Sequence, residues 1–313
     1  MTSVRGKFFR WIIGKQNINP ITHPEMREKM VRMSARYSHT RAKKGYILEC
    51  LSTRNGVKYQ RLYKKGSTLS GKVIYYIHGG CYISGLTYNY RDFCAPLCEV
   101  IPGAEIILLD YRLSPEYRYP TQLNEALDLW MELTEHLGIK EKNIVVGGDS
   151  SGGNLALAMM LKLRDEGKPM PNSAFFLSPW TDMTVSGESY RSNYQKDVEI
   201  GDQNGKFDEN TRRRLLSSYL FEYIGDAERN DPYVSPVFAD YHGFPSTLLF
   251  AGEDEMLLDD ARAVFEKMKK AGVRAIIETQ PGMFHSYVLY MDYIPESSHS
   301  FKTLKRFIRQ NAR

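Results

Sequence analysis

An α/β fold on a mostly parallel sheet is the architecture this 313-residue sequence predicts. Three observations point to it. First, several apolar runs are continuous rather than alternating, as in VIYYI (73–77) and EIILLD (105–110). That is the pattern of strands covered on both faces. Second, helical patterns over 121–137, 151–166 and 257–271 separate most of the runs, and strand–helix alternation favours parallel pairing. Third, YILECL and VKYQRLY flank an Arg54-Asn55-Gly56 turn, a hairpin pattern that supplies the antiparallel exception.

The elements follow in order. Residues 1–45 are basic and helix-like, with MREKMVRMSARYS placing apolar residues at helical spacing. Within them FFRWIIG, interrupted by Arg10, reads as a short amphipathic helix docked on the protein, with a membrane surface as the alternative. It lacks the apolar core and small-residue cleavage site of a secretory signal, so the expected location is cytoplasmic. After the hairpin, VIYYI and EIILLD, the runs NIVVGG (143–148), SAFFLS (173–178), STLLFA (246–251) and RAIIET (274–279) bring the strands to eight. Residues 182–245 break the rhythm. They carry polar loop sequence, the helix TRRRLLSSYLFEYIG and a Pro-rich return, but no strong strand. An insertion of that size between strands is usually functional, such as a lid, and with residues 1–45 it could cover the strand ends.

Composition narrows the classes. Apolar content is 42%, charged content 25% and net charge +5, ordinary for a globular chain. The basic residues are scattered, so no nucleic-acid partner is expected. No run approaches the ~18–20 apolar residues of a membrane span, so no stable membrane insertion is expected. The four cysteines, Cys50, Cys81, Cys94 and Cys98, form no C-x-x-C pair and have no histidine at zinc spacing. They read as free thiols, with no metal site. Gly66 to Lys72 mimics a phosphate-binding loop, but Val73 follows where Ser or Thr is required, and a strand follows where a helix should start. DQNGKFDEN lacks the residue order of a calcium loop.

The chemistry concentrates at IVVGGDSSGGNLAL (144–157), where Gly148-Asp149-Ser150-Ser151-Gly152 fits G-x-S-x-G between a strand and a helix. Such a turn holds its serine in a strained conformation with the hydroxyl exposed, a nucleophile elbow. Ser150 is the candidate, since Asp149 stands where a glycine would be needed for Ser151. The N–H of Ser151 then opens a helix N-terminus, favourable to a developing oxyanion. After the strand VIYYI comes His78-Gly79-Gly80-Cys81, which resembles the HGGG oxyanion loop of lipases and esterases, with Cys81 replacing the third glycine. The expected donors are the N–H groups of Gly80 and Cys81, with Gly79 shaping the loop. Cys81 serves only if its backbone conformation is allowed, and His78 reads as structural. The base should be a late histidine, and His285 in QPGMFHSY follows the last strand in a Gly-containing loop. AGEDEMLLDD offers Asp254, Glu255, Asp259 and Asp260 as acids.

Together HGGCYISG, DYRLSPE, GDSSGGN, SPWTDMT, AGEDEMLLDDA and GMFHSY, in order over residues 45–310, resemble the hormone-sensitive-lipase-like branch of α/β-hydrolases. The resemblance implies an α/β-hydrolase fold, with an eight-stranded, mostly parallel sheet flanked by helices and a helical cap. Residues 1–45 and 182–230 would form the cap, and 46–181 with 231–313 the catalytic domain. It implies a serine carboxylesterase acting on short-chain acyl esters of small molecules, acetyl to about butyryl or hexanoyl, without metal or cofactor. Aligned with the family's D-P-L-x-D through Ala271-Gly-Val and His285, Glu255 takes the catalytic place and Asp254 is second. Asp259 and Asp260, at the start of a helix, read as N-terminal caps and dipole partners, and Arg112 and Glu116 would brace loops near the site. Tyr82, Trp180 and Phe284 are expected to shape the substrate pocket. A homodimer is allowed. The rival readings are an amidase, deacetylase or peptidase on the same fold, a lipase acting on aggregated lipid, and a non-catalytic binder of small ligands.

Overall fold

In order along the sheet, the eight strands run β1-β2-β4-β3-β5-β6-β7-β8. The computed structural model describes residues 2–37 and 41–311. Met1 and residues 38–40 of the expected cap and 312–313 of the expected catalytic segment lie outside them, including Ser38 of the expected helix MREKMVRMSARYS. The strands are β1 (Tyr46–Ser52), β2 (Lys58–Lys64), β3 (Val73–Ile77), β4 (Glu105–Leu109), β5 (Ile144–Asp149), β6 (Ser173–Leu177), β7 (Ser246–Gly252) and β8 (Ala275–Gln280). β1 pairs antiparallel with β2 and β2 antiparallel with β4, while every pairing from β4 to β8 is parallel. All eight expected strands are present within two residues at either end.

The continuous apolar runs are explained by burial on both faces. Alternate side chains of a strand point to opposite faces. Val73, Tyr75 and Ile77 of β3 therefore join one core cluster, and Ile74 and Tyr76 the other. The helices are α1 (Val4–Gly14), α2 (Met26–Tyr37), α3 (Tyr88–Cys94), α4 (Thr121–Met131), α5 (Ser150–Asp165), α6 (Ser189–Ser192), α7 (Glu209–Leu216), α8 (Leu258–Lys270) and α9 (Pro295–Asn311). Helices α4, α5 and α8 cover the first face, and α3 and α9 the second. Cys94 and Cys98 do not share one helix, because α3 gives way to a 3₁₀ turn at Ala95. Both are buried free thiols, while Cys50 is exposed.

Parallel register places the chemistry. Ile77 at the end of β3 lies beside Gly148, Asp149 beside Leu177, and Leu177 beside Phe250. The loops leaving β3, β5, β6, β7 and β8 thus emerge along one edge, the carboxyl edge where open α/β sheets bind ligands. The chain between β6 and β7 lies over this edge and is bonded to the N-terminal segment. Asn17 Nδ2 donates to Val198 O (3.0 Å) and Gly201 O (2.9 Å). The Ile18 N–H donates to Glu199 O at 2.7 Å, and Arg27 pairs with Glu222 at 2.8 Å.

Candidate active site

β5 ends at Asp149 and α5 begins at Ser150, which sits at φ +50°. This left-handed conformation costs a residue with a side chain about 1–3 kcal/mol and persists only where the surroundings dictate it. They do so here through close approach. A Cβ on Gly148 would lie 2.6 Å from Gly152 O and 2.9 Å from Ile77 O, and one on Gly152 would collide with the carbonyls of Ile77 and His78. The glycines let α5 start hard against the end of β3. The first turn of α5 leaves its N–H groups, Ser151 among them, without helical acceptors.

Asp149 is a part of the site that the sequence reading did not assign. Its Oδ1 accepts from Tyr76 OH at 2.7 Å and from the Gly79 N–H at 3.0 Å. Burial pushes this carboxyl up to about 6, against the hydrogen bonds from Tyr76 and Gly79. It anchors the loop after β3 to the elbow. The signal was available: a charged residue closing an apolar strand must find buried partners.

In that loop Gly80, Cys81 and Tyr82 have φ of +110°, +56° and +61°. Cys81 does adopt the left-handed conformation that its place in the loop requires. Gly79 spends its N–H on Asp149, so it shapes the loop and is not a free donor. Among the described residues, the N–H groups of Gly80 and Cys81 have no acceptor, while Tyr82 N–H donates to Ser151 Oγ at 3.3 Å. Burial pushes the Cys81 thiol up to about 12, which removes it as a nucleophile near neutral pH. His78 is buried against Tyr111, ring centroids 4.3 Å apart, with Nδ1 2.7 Å from Gly79 O. Burial lowers it to about 4 despite that bond, so it stays neutral.

His285 Nδ1 lies 3.1 Å from Glu255 Oε2, and both side chains are buried. Burial opposes the imidazolium. The Glu255 hydrogen bond and the charges of Glu199, Glu255 and Asp197 outweigh it and push His285 up to about 9. Glu255 itself is raised by burial and lowered in part by His285. On the other side of the ring, Nε2 has the Ser286 hydroxyl at 3.4 Å. Asp254, the alternative acid, points away and pairs with Arg10 of α1. Glu199, a further carboxylate that sequence reasoning missed, comes from the chain between β6 and β7. Burial first, then neighbouring acids, raise it to about 7 against the pull of His285. Nothing in its sequence surroundings sets it apart.

Ser150 opens on a small apolar cavity of about 20 Å³. Its lining includes Cys81, Trp180, Ile200, Leu220 and Phe221. Of the three expected pocket residues only Trp180 is on this wall. Tyr82 instead stacks on Tyr223 at 3.5 Å and donates to Asn154 Oδ1 at 2.7 Å. Phe284 is drawn to the opposite face of the sheet, edge-on to Tyr290. Asp259 and Asp260 stand in the first turn of α8, as expected of partners for its dipole, but their carboxylates bind the chain after β6 rather than capping the helix. Asp260 Oδ2 accepts from the N–H groups of Thr181 (2.6 Å) and Asp182 (2.8 Å), and Asp259 Oδ2 from that of Ser189 (2.8 Å). Arg112 braces α4 through Glu125, whose Oε2 accepts from its N–H at 2.8 Å, whereas Glu116 is exposed.

Known proteins resemble this chain in sequence and in fold. A family model for the alpha/beta hydrolase fold matches residues 74–289. An esterase of Acinetobacter venetianus is 31% identical over 244 residues, 78% of this chain and 76% of its own. An acetyl-hydrolase of Streptomyces hygroscopicus is 31% identical over 239 residues, 76% of each chain. Among solved structures, an esterase from the bacterial hormone-sensitive lipase family superposes with a TM-score of 0.85 at 28% identity over 100% of both chains. EstE5 soaked with p-nitrophenyl butyrate gives 0.83 at 27% over 99% of both. Matched over most of its length in sequence and over all of it in fold, the chain belongs to the α/β-hydrolase fold family, in its hormone-sensitive-lipase-like branch, and is a carboxylic ester hydrolase.

Proposed function

We propose that this enzyme hydrolyses short-chain acyl esters of small molecules, acetyl to about butyryl or hexanoyl, through an acyl-enzyme on Ser150. Ser150 Oγ attacks the ester carbonyl while His285 Nε2 accepts its proton. Glu255 fixes the imidazole tautomer through Nδ1 and stabilises the imidazolium. The N–H groups of Gly80, Cys81 and Ser151 receive the oxyanion, and losing one such donor typically costs about 3 kcal/mol. The protonated His285 then delivers its proton to the leaving alkoxide. Water, activated by the same imidazole, attacks the acyl-enzyme and frees the acid. Residues 1–45 and 182–230 act as the cap. Asp149 is a positioning residue, holding the donor loop against the elbow.

The observation that carries this reading is the strained Ser150 at the mouth of the apolar cavity, with the buried His285–Glu255 pair on adjoining loops. A small apolar acyl group is supported by the lining of that cavity, where Cys81, Trp180, Leu220 and Phe221 face Ser150. The acetyl-hydrolase relative and the p-nitrophenyl butyrate soak of EstE5 agree with it. The test is hydrolysis of p-nitrophenyl acetate, butyrate, octanoate and palmitate. The wild type should cleave the first two fastest, and Ser150→Ala should lose at least about 10⁴-fold in kcat/KM with its melting temperature retained. An active Ser150→Ala enzyme would refute the nucleophile, and a palmitate optimum would refute the substrate class.

A further inference from the structure

α1 is held rigidly yet leaves an apolar stripe uncovered. Its inner face is tied down at both ends. Ser3 caps the helix and bonds Glu296 through its N–H (2.5 Å) and hydroxyl (2.8 Å). Arg10 pairs with Asp254 and donates to Gly282 O at 3.3 Å. Ile13 is buried, and the Phe9 ring packs on Tyr290 and Tyr293 at 5.7 and 6.3 Å. These contacts fix which side of the helix faces out.

The outer side carries Val4, Phe8 and Trp11, at 85%, 55% and 57% exposure. Their spacing of four and three residues stacks them on one face. The Phe8 and Trp11 rings lie 6.1 Å apart, nearly parallel, and Tyr293 extends the patch at 66% exposure. Helical projection at 100° per residue places Arg5 on one flank of the stripe and Lys7 on the other. Lys15 lies over Trp11 with its ammonium 3.6 Å from the ring centroid. All three cations are exposed, and no acidic residue precedes Glu25 in the sequence. Asp292 beside Tyr293 and Asp202, which lines one cleft with Lys7, Trp11 and Lys15, are acidic groups at the edge of the patch.

An aromatic stripe flanked by snorkelling cations, on a helix too short to span, fits the boundary between lipid headgroups and acyl chains. The side chains of Val4, Phe8 and Trp11 offer a protein partner little to hydrogen-bond, and the cations select for negative charge. We propose that the outer face of α1 is a docking surface for an anionic phospholipid membrane, on which the enzyme lies peripherally through Val4, Phe8 and Trp11, with Arg5, Lys7 and Lys15 on the headgroups.

The stripe contains its own reporter, because the other two tryptophans, Trp130 and Trp180, are buried. The full chain is mixed with phosphatidylcholine vesicles, with and without phosphatidylserine, and followed by co-sedimentation and tryptophan emission. With phosphatidylserine present, the protein should pellet and its emission should shift to the blue, and added salt should weaken both. Phe8→Ser/Trp11→Ser should pellet at least about tenfold more weakly, as loss of two buried aromatic side chains requires. Arg5→Glu/Lys7→Glu should lose the phosphatidylserine preference. Both variants alter exposed side chains, so the melting temperature should stay at the wild-type value and certify folding. Absence of pelleting on either vesicle would overturn the proposal. So would a dimer in solution that Phe8→Ser/Trp11→Ser splits, since the stripe would then be covered by a second copy.

Discussion

The sheet edge and the chain that lies over it are built on opposite principles. Below, β3 and β5 to β7 are buried almost without interruption and knit by parallel ladders, so the pairing of the frame is spread over many backbone bonds. Above, the chain between β6 and β7 has only α6, of four residues, α7, of eight, and 3₁₀ turns. Single side chains fasten it. Asn193 Nδ2 donates to Glu253 O and Glu255 O, both at 2.9 Å. The carboxylates of Asp182, Asp197 and Asp260 each accept two or more backbone or side-chain donors. A ladder distributes its free energy over many bonds. A fastening concentrates it, and orphaning one buried donor costs about 1–3 kcal/mol.

The largest test of that contrast lies in two adjacent residues. Glu255 faces His285 on the sheet edge, and Asp254 faces Arg10 of α1. Glu255→Gln keeps the shape but favours the wrong imidazole tautomer, so kcat/KM should fall about 10³–10⁴-fold, with little change in KM. Asp254→Asn breaks a partly exposed ion pair worth about 0–1 kcal/mol and should stay within about fivefold. Steady-state kinetics on p-nitrophenyl butyrate decides between them. If Asp254→Asn proved the more damaging, the two carboxylates would exchange roles.

The contrast also explains what the sequence made legible. The strands were readable because burial on both faces leaves runs such as VIYYI, a signal spread over five residues. Ser150 was readable because the collisions at Gly148 and Gly152 permit only glycine there, and two glycines around a serine stand out. His285 was readable from chain order and its loop after the last strand, whereas Glu255 needed the family resemblance, since periodicity does not separate it from Asp254. The pocket was misjudged at Tyr82 and Phe284. An aromatic next to a motif can turn to either face of the sheet, and local sequence carries no information on which. Glu199 and Asp197 were missed for a related reason. Their importance comes from groups far away in sequence, the Met256 N–H for Asp197 and the His285 ring for Glu199.

Asp197 tests the fastening directly. It is fully buried, with Oδ1 accepting from Glu199 (2.9 Å) and Ile200 (3.0 Å) and Oδ2 from Met256 (2.7 Å). Asp197→Ala should lower stability by about 1–3 kcal/mol, read as a drop in melting temperature. KM should rise as well, because Ile200 lines the cavity at Ser150. Asp197→Asn keeps one acceptor oxygen and should recover part of both effects. A drop in melting temperature without any change in KM would mean that the fastening does not shape the site.

Glu199 should give the smallest and most specific effect, because it belongs to the covering chain yet acts on the histidine beneath. Catalysis requires neutral His285, so kcat/KM should rise with pH as the imidazolium loses its proton. Burial works against that imidazolium, while the Glu255 hydrogen bond and the charge of Glu199 hold the proton on, with His285 raised to about 9. Asp197, Glu255 and Asp149 are the other acids that act on Glu199. In Glu199→Gln one negative charge disappears, the imidazolium is less stabilised, and the rising limb of the profile should move to lower pH. Activity at neutral pH should therefore increase while the high-pH plateau stays put. Glu199→Asp, which restores the charge, should move the limb back towards the wild type. The measurement is kcat/KM for p-nitrophenyl acetate against pH, followed at a wavelength where the nitrophenol and nitrophenolate absorb equally. A limb that stays fixed in Glu199→Gln would show that the covering chain leaves the histidine alone and that Glu255 by itself sets its proton affinity.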